Sequence, residues 1–274
     1  MKVLINFADN YFRNQQKYNT KTGYKVGKFD KVIEFSPDDI PASYKEQHEE
    51  IFSVKRGYGL WLWKPYFIVQ TLKSLNEGDY LFYCDSGAYF LKPIDLLISV
   101  MEHDKQEIMC YEIPLLECQW TSESCIKIME CQEARYLMTP QRCAGYILIK
   151  KTEYSVKMME EYLHTCENYE CLSGGHLGES CLAHREDQSV WSLITKKYGI
   201  EAYRDPSQYG ILPRSYIRYA QRFDRVALAG YSNQEKSTYP TVIFLYRKGK
   251  DYQIIPRVIS RMKLIRNLYF SSKI

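Results

Sequence analysis

The sequence contains no GxxxxGKS/T loop, no GxGxxG turn, no HExxH pair and no GxSxG elbow. Kinase-like, dinucleotide-dependent, zincin and esterase chemistries therefore lose support. No apolar run approaches the about 18 residues that a membrane-spanning helix needs. The opening MKVLINFADN has an apolar run too short for the core of a signal sequence and reads as a first strand. The expectation is a soluble or peripheral protein. The nine cysteines are scattered, and none forms a CxxC pair. Cys110, Cys118, Cys125 and Cys131 stand too far apart for a zinc knuckle, so a reduced, cytoplasmic setting is the simplest account. Internal repeats and low-complexity tracts are also missing.

What is present is an aromatic-rich chain of 274 residues with 25 Tyr, 11 Phe and 4 Trp. Tyrosine offers a flat apolar face and a hydroxyl, which suits sugar or base rings and serves equally in a core. Apolar content of 45% and charged content of 26% are those of a globular protein with a sizeable core. Net charge is +4 but unevenly spread. From Arg214 onward there are 13 Lys plus Arg against 3 Asp plus Glu, a net of +10, which leaves −6 for the rest. That asymmetry points to an anionic partner at the C-terminal end.

Strand and helix patterns alternate. Lys2 to Phe7 and KVIEF (31–35) read as strands, and ASYKEQHEEIFSV (42–54) reads as one helix. Pro65 fits the first turn of a helix running to about Leu75. Tyr80 to Cys84 is a near-continuous apolar strand of the buried, parallel type. KPIDLLISVMEH reads as a helix, EIMCYEI as a strand, AGYILIKK and the residues after it as strand then helix. REDQSVWSLITKKYG is a helix ending at Gly199, with Glu186 and Asp187 in its first turn, and IEAYR is a short strand. This alternation predicts an α/β fold with a mostly parallel central sheet. The glycine-rich CLSGGHLGES (171–180) reads as a loop ahead of a helix.

Three clusters carry chemistry. Ligands of open α/β sheets sit beyond the carboxyl ends of the strands, where the sequence puts Asp85, Ser86 and Gly87. A carboxylate there can contact a ribose or sugar hydroxyl or a hydrated cation, or it can cap a turn. In RGYGLWLWKP, Arg56 and Lys64 flank glycines and aromatics, and two cations near a helix start suit a diphosphate. Tyr58, Trp61 and Trp63 pack under a ring or into the core. In AHREDQSVWSL, His184, Arg185, Asp187 and Gln188 mix acid, base and amide, which suits reading hydroxyls and moving a proton.

FADNYF, RGYGLWLWKP, YCDSG, AGYILIKK and HREDQS, in this order over residues 5 to about 198, resemble bacterial GT-A-type nucleotide-sugar glycosyltransferases of capsule and lipopolysaccharide synthesis. The resemblance implies a Rossmann-like GT-A domain over residues 1–212, with a basic extension over 213–274. It implies transfer of a sugar from a nucleoside diphosphate sugar, expected as a UDP-sugar, to a saccharide or lipid-linked acceptor, a hexosyltransferase-type activity. It puts Ala8, Asp9 and Tyr11 near the base, Ala144 and Gly145 at the sugar pocket, and Asp187 and Gln188 at the reacting centre, with Ser86 and His184 among the donor contacts. Asp85 matches the first acid of the DxD motif that holds Mn²⁺ or Mg²⁺. Gly87 stands where the second acid belongs, so metal dependence stays open, with Arg56 as an alternative source of charge. The Asp-Gln pair leans towards retaining enzymes by likeness only.

In PRVISRMKLIRNLYF, apolar residues recur at helical spacing between Arg257, Arg261, Lys263 and Arg266. A basic amphipathic helix over 257–270 could lie on an anionic membrane surface or pack on the domain. The corresponding location is cytoplasmic, peripheral at the inner face of the plasma membrane. A non-enzymatic carbohydrate-binding protein and a nucleic-acid binder are the rival readings. No nucleic-acid-binding motif is recognisable, so nucleic acid is not expected as a partner.

Overall fold

The computed structural model describes residues 1–211, 226–230 and 235–246. Its strands are β1 (Lys2–Phe7), β2 (Lys31–Phe35), β3 (Tyr80–Cys84), β4 (Ala88–Phe90), β5 (Ile108–Leu116), β6 (Pro140–Lys150), β7 (Ala202–Arg204) and β8 (Ile243–Leu245). The longer helices are α1 (Arg13–Thr22), α2 (Trp63–Ser74), α3 (Asp95–His103), α4 (Glu153–Cys166) and α5 (Asp187–Lys197).

Six strands form one sheet in the order β2-β1-β3-β6-β5-β7. β1 pairs in parallel with β2 and β3, and β7 with β5, whereas β6 runs against both β3 and β5. The sheet is therefore mostly parallel, as the alternation predicts. The apolar run Tyr80 to Cys84 proves parallel on its β1 side and antiparallel on its β6 side. Burial on both faces explains the run and does not depend on the direction of the neighbour.

Alternation along the strands divides the core in two. Val3, Ile5, Leu81, Tyr83 and Ile147 pack with Phe67, Ile68 and Leu72 of α2, Met158 and Tyr162 of α4, and Trp191 and Ile194 of α5. Leu4, Phe82 and Leu148 pack with Leu97 and Met101 of α3 and with Val242 and Ile243. Helix α4 starts where the Thr152 side chain accepts a hydrogen bond from the Ser155 amide at 3.0 Å; such a cap contributes about 1 kcal/mol.

The stretch read as one helix over 42–54 is two short helices, Ala42–Gln47 and Glu49–Phe52, broken at His48, whose ψ is 38°. Asp187 does open α5, but Glu186 precedes the helix at φ 47°, ψ −125°. Cys171 to Ser173 close a short helix, Tyr169–Ser173, which ends on the left-handed Gly174.

Late residues pack onto the same body. β8 pairs with β4 in antiparallel register, and the Tyr246 amide donates to the Gly87 carbonyl at 2.6 Å. Residues 257–270, read as a basic amphipathic helix, lie outside the described residues. Among the described residues no helix is long and apolar enough to cross a membrane.

Candidate active site

Parallel β1 and β3 end side by side, so the residues that follow them, Ala8-Asp9 and Asp85-Ser86-Gly87, meet at one edge of the sheet. Antiparallel β6 passes the same edge, and the Asp85 amide donates to the Gly145 carbonyl at 2.8 Å. In front lies a cleft of about 470 Å³, within the usual size of small-molecule sites. Ala8, Asp9, Arg56, Lys64, Asp85, Ser86, Gly145, His184, Asp187 and Gln188 all line it. Tyr11 and Ala144 are not among its lining residues. Tyr11 is exposed, and Ala144 is buried behind Gly145, its amide 3.4 Å from Gln188 Oε1.

Each carboxylate at the sheet edge is oriented by its neighbours. The Tyr83 hydroxyl donates to Asp85 Oδ1 at 2.6 Å, and a Cβ on Gly145 would stand 3.1 Å from Asp85 Oδ2. The glycine leaves that oxygen its space. The Ser86 hydroxyl donates to the Phe7 carbonyl at 2.6 Å and so ties the ends of β1 and β3 together. Asp9 Oδ1 accepts from the Tyr11 and Phe12 amides at 3.0 and 3.1 Å, forming the turn that opens α1.

The opposite wall centres on a buried ion pair. Lys64 Nζ, from the first turn of α2, lies 2.6 Å from Asp187 Oδ2 at the start of α5, and both side chains are about 5% exposed. The Tyr162 hydroxyl donates to the same oxygen at 3.1 Å. Burial pushes the Asp187 carboxyl up to about 6, with Lys64 opposing the shift. Burial alone would lower the Lys64 ammonium, but Asp187 and Asp85 outweigh it and hold the pKa above its ordinary value. The Lys64 ammonium thus pairs with Asp187 and also feels the Asp85 charge. Next to the pair, Gln188 Nε2 donates to Gln141 Oε1 at 2.9 Å. Gln141 in turn donates to the Trp120 carbonyl, and its Nε2 stands 3.4 Å from Glu117, which is fully buried and paired with Lys196 at 2.6 Å. This chain of amides fixes the Gln188 side chain.

His184 Nδ1 accepts from the Ser122 amide at 3.2 Å, and burial lowers the imidazole to about 4, so the ring is neutral near pH 7. Its ring fills the space beside Gly174, where a Cβ would come within 2.8 Å.

Residues 57–61 wind left-handed: Gly57 (φ 61°), Tyr58 (54°), Gly59 (84°), Leu60 (52°) and Trp61 (63°). For the three non-glycines this costs about 1–2 kcal/mol each. The turn puts Tyr58 and Trp61 on the cleft wall. Phe7 stacks on Trp63, with ring centroids 3.8 Å apart, and so supports the wall from the sheet side. Trp63 is buried in the core and Trp61 packs against it, and both also line the cleft. Arg56, just ahead of the turn, donates from Nε to Glu186 Oε1 at 2.6 Å and from Nη2 to Oε2 at 3.3 Å.

The donor set does not fit a resident divalent cation. Such ions take about six oxygen ligands, but Gly87 supplies no side chain and Asp85 is the only acid on the segment after β3. A buried ammonium already acts on that carboxylate. Among the described residues no group of three or more His, Cys, Asp or Glu could hold a metal ion. Asp85 could take a cation only together with oxygens brought by a ligand.

The supporting groups Tyr83, Tyr162, Gln141 and Glu117, and the place of Glu186, do not show in the residue pattern. The available signal was weak: tyrosines inside otherwise apolar segments, whose hydroxyls need partners when buried.

No family model matches the sequence, and no curated protein matches it. Among solved structures, the chain is similar to the galactosyltransferase LgtC in complex with donor and acceptor sugar analogues: TM-score 0.50, 11% identity, covering 97% of this chain and 95% of that one. It also aligns with mouse xyloside xylosyltransferase 1 (TM-score 0.44, 9% identity, 92% of this chain and 100% of that chain). A third alignment is with a glycosyltransferase involved in glycosylation of the major capsid of PBCV-1 (TM-score 0.44, 10% identity, 91% and 95%). The first likeness, together with the mixed, mostly parallel sheet, assigns the chain the GT-A fold.

Proposed function

We propose that this protein is a glycosyltransferase that moves a sugar from a nucleoside diphosphate sugar, a UDP-sugar by preference, to an acceptor hydroxyl. The observation that carries this reading is the joint presence, in one cleft at the carboxyl edge of the sheet, of Asp85, the cations Arg56 and Lys64, and the Asp187-Gln188 pair. A GT-A fold supports it as analogy of fold.

In this reading the bond between the anomeric carbon and the diphosphate oxygen breaks, the diphosphate departs with its electron pair, and the acceptor oxygen bonds to the anomeric carbon. The transition state has oxocarbenium character, as in glycosidases. Arg56 neutralises the departing diphosphate, with Lys64 adding positive charge from beneath. Asp85 binds donor hydroxyls, and Gly145 gives the sugar close access to the sheet edge. Asp187, ionised above about pH 6, stabilises the positive carbon or receives the acceptor proton. Gln188, held by Gln141, contacts the sugar. Ala8 and Asp9 neighbour the base, with Tyr11 beyond the cleft wall.

The acceptor we propose is a saccharide or lipid-linked saccharide of a surface polysaccharide. Residues 1–212 would form the transferase domain. Residues 213–274 would form a basic extension bearing on the domain or on an anionic membrane from the cytoplasmic side. The deciding experiment is a thermal-shift panel of UDP-, GDP- and CMP-sugars with and without Mn²⁺. A ligand at 100 times its dissociation constant adds about 2.7 kcal/mol of stability. A panel in which no nucleotide sugar shifts the midpoint rejects the transferase, and a response to free saccharides alone favours a carbohydrate-binding protein.

A further inference from the structure

Two strained segments face each other across the cleft, and a contact between Arg56 and Glu186 joins them. On one wall is the left-handed turn 57–61, introduced by Arg56. On the other is Glu186, at φ 47°, ψ −125°, a conformation that the first central position of a type II′ turn reserves for glycine. The contact is two-pronged: Arg56 Nε to Glu186 Oε1 at 2.6 Å and Nη2 to Oε2 at 3.3 Å. The Glu186 side chain is 12% exposed and set in the wall, whereas that of Arg56 is 64% exposed and reaches across.

Stability does not account for a glutamate here. The backbone favours glycine at this position, and an ion pair with one exposed partner contributes little. The next residue, Asp187, already has its own cation in Lys64. Glu186 therefore brings one more negative charge into a cleft that has to receive an anion. Its two oxygens occupy the Arg56 fork, the geometry by which a guanidinium also grips two phosphate oxygens.

We propose that Glu186 is an internal stand-in for the donor diphosphate, an inference that rests on the transferase reading above. In the empty cleft the Glu186 carboxylate holds the Arg56 fork in place. An arriving diphosphate takes over that fork and releases Glu186. The exchange keeps Arg56 preorganised and lowers the affinity for the diphosphate, which favours its release after transfer. Ligands without a two-pronged anion cannot displace the carboxylate, so the same contact selects for diphosphates over neutral sugars.

Titration calorimetry on the full chain with inorganic pyrophosphate, a probe that does not depend on the nucleobase, tests the exchange. Glu186→Gln is expected to bind pyrophosphate about two- to fivefold more tightly than wild type, the size of an exposed ion pair. Arg56→Gln is expected to bind more weakly, and adding Glu186→Gln to Arg56→Gln should change nothing further. Glu186→Gly, which suits the backbone at this position, should tighten binding as Glu186→Gln does and serves if the glutamine variant folds poorly. Unchanged or weaker binding by the Glu186 variants overturns the proposal. So does equal tightening in the Arg56→Gln background, which would mark a bulk charge effect. If wild type binds pyrophosphate but the nucleotide-sugar panel gives no shift, the transferase reading fails separately. Wild type that takes neither ligand removes both.

Discussion

Lys64 Nζ and Asp187 Oδ2, 123 positions apart in the chain, meet at 2.6 Å in the wall of the cleft, and almost no solvent reaches either group. Such a pair stabilises little relative to an apolar one, but breaking it from one side strands a buried charge, at a cost of about 3–5 kcal/mol. Lys64→Met, which strands the Asp187 carboxylate, should lower the unfolding free energy by that order in urea titrations above about pH 7. Adding Asp187→Asn should regain much of the loss while the chain remains inactive in donor turnover. A further loss on adding Asp187→Asn would show that the two groups do not act as a pair.

Asp187 also sets a pH dependence. Burial raises its carboxyl from 3.8 to about 6 in the folded chain. Between those values the folded state holds the proton more tightly than the unfolded state. Its contribution to stability is therefore present below about pH 4 and lost as pH rises through about 6. Sugar transfer as proposed needs the ionised group and should run the other way, climbing as pH rises through about 6. In Asp187→Asn that acidic limb should vanish with most of the activity; a variant with full transfer activity would end the assignment.

Gly145 leaves Asp85 Oδ2 its space, because a Cβ there would approach to 3.1 Å. Gly145→Ala should displace the carboxylate by a few tenths of an ångström. Crowding of this kind costs about 1–3 kcal/mol, and we expect it mainly as weaker donor binding, with a smaller change in thermal midpoint. Calorimetry beside a melting curve separates the two.

Gly59 stands at φ 84°, and a Cβ would come within 2.6 Å of the Phe52 ring. Gly59→Ala should destabilise by about 1–3 kcal/mol and disturb the cleft wall that carries Tyr58 and Trp61. A melting curve unchanged from wild type would show that the turn is not held in this form.

Donor binding should survive metal removal. Gly87 carries no side chain to hold an ion beside Asp85, and the Lys64 ammonium already acts on that carboxylate, so in the proposed transferase we expect the positive charge for a diphosphate to come from the chain itself. Thermal shifts with a nucleoside diphosphate sugar should be the same in EDTA as in Mn²⁺. A shift that appears only with Mn²⁺ would restore the cation to the site.

Much of this architecture was legible in the residues. Burial on both faces leaves a plain mark, so β1, β3 and the helix after Pro65 could be read from apolar runs and a proline. Asp85 stood out because an acid beside two small residues at the end of such a strand has no packing role. Strand direction leaves no such mark: β6 reads alike parallel or antiparallel, yet its reversal is what brings Gly145 beside Asp85. The pairing of Lys64 with Asp187 was hidden by sequence distance, which led the sequence reading to give Lys64 to the diphosphate alone. The glycines of RGYGLW hint at a turn, but nothing in Tyr58, Leu60 or Trp61 announces a left-handed backbone, since their own preference is against it.

The β4–β8 pairing has a bearing on how the protein is made. Ala88 to Phe90 follow on Asp85-Ser86-Gly87, yet their partner is Ile243 to Leu245, and Tyr246 secures the Gly87 carbonyl. During synthesis the ribosome must deliver the chain past Tyr246 before the strand that follows Asp85-Ser86-Gly87 gains its partner. A nascent chain halted near position 211 would carry every described cleft residue and still lack that pairing, so competence for the ligand should arrive late and abruptly in translation.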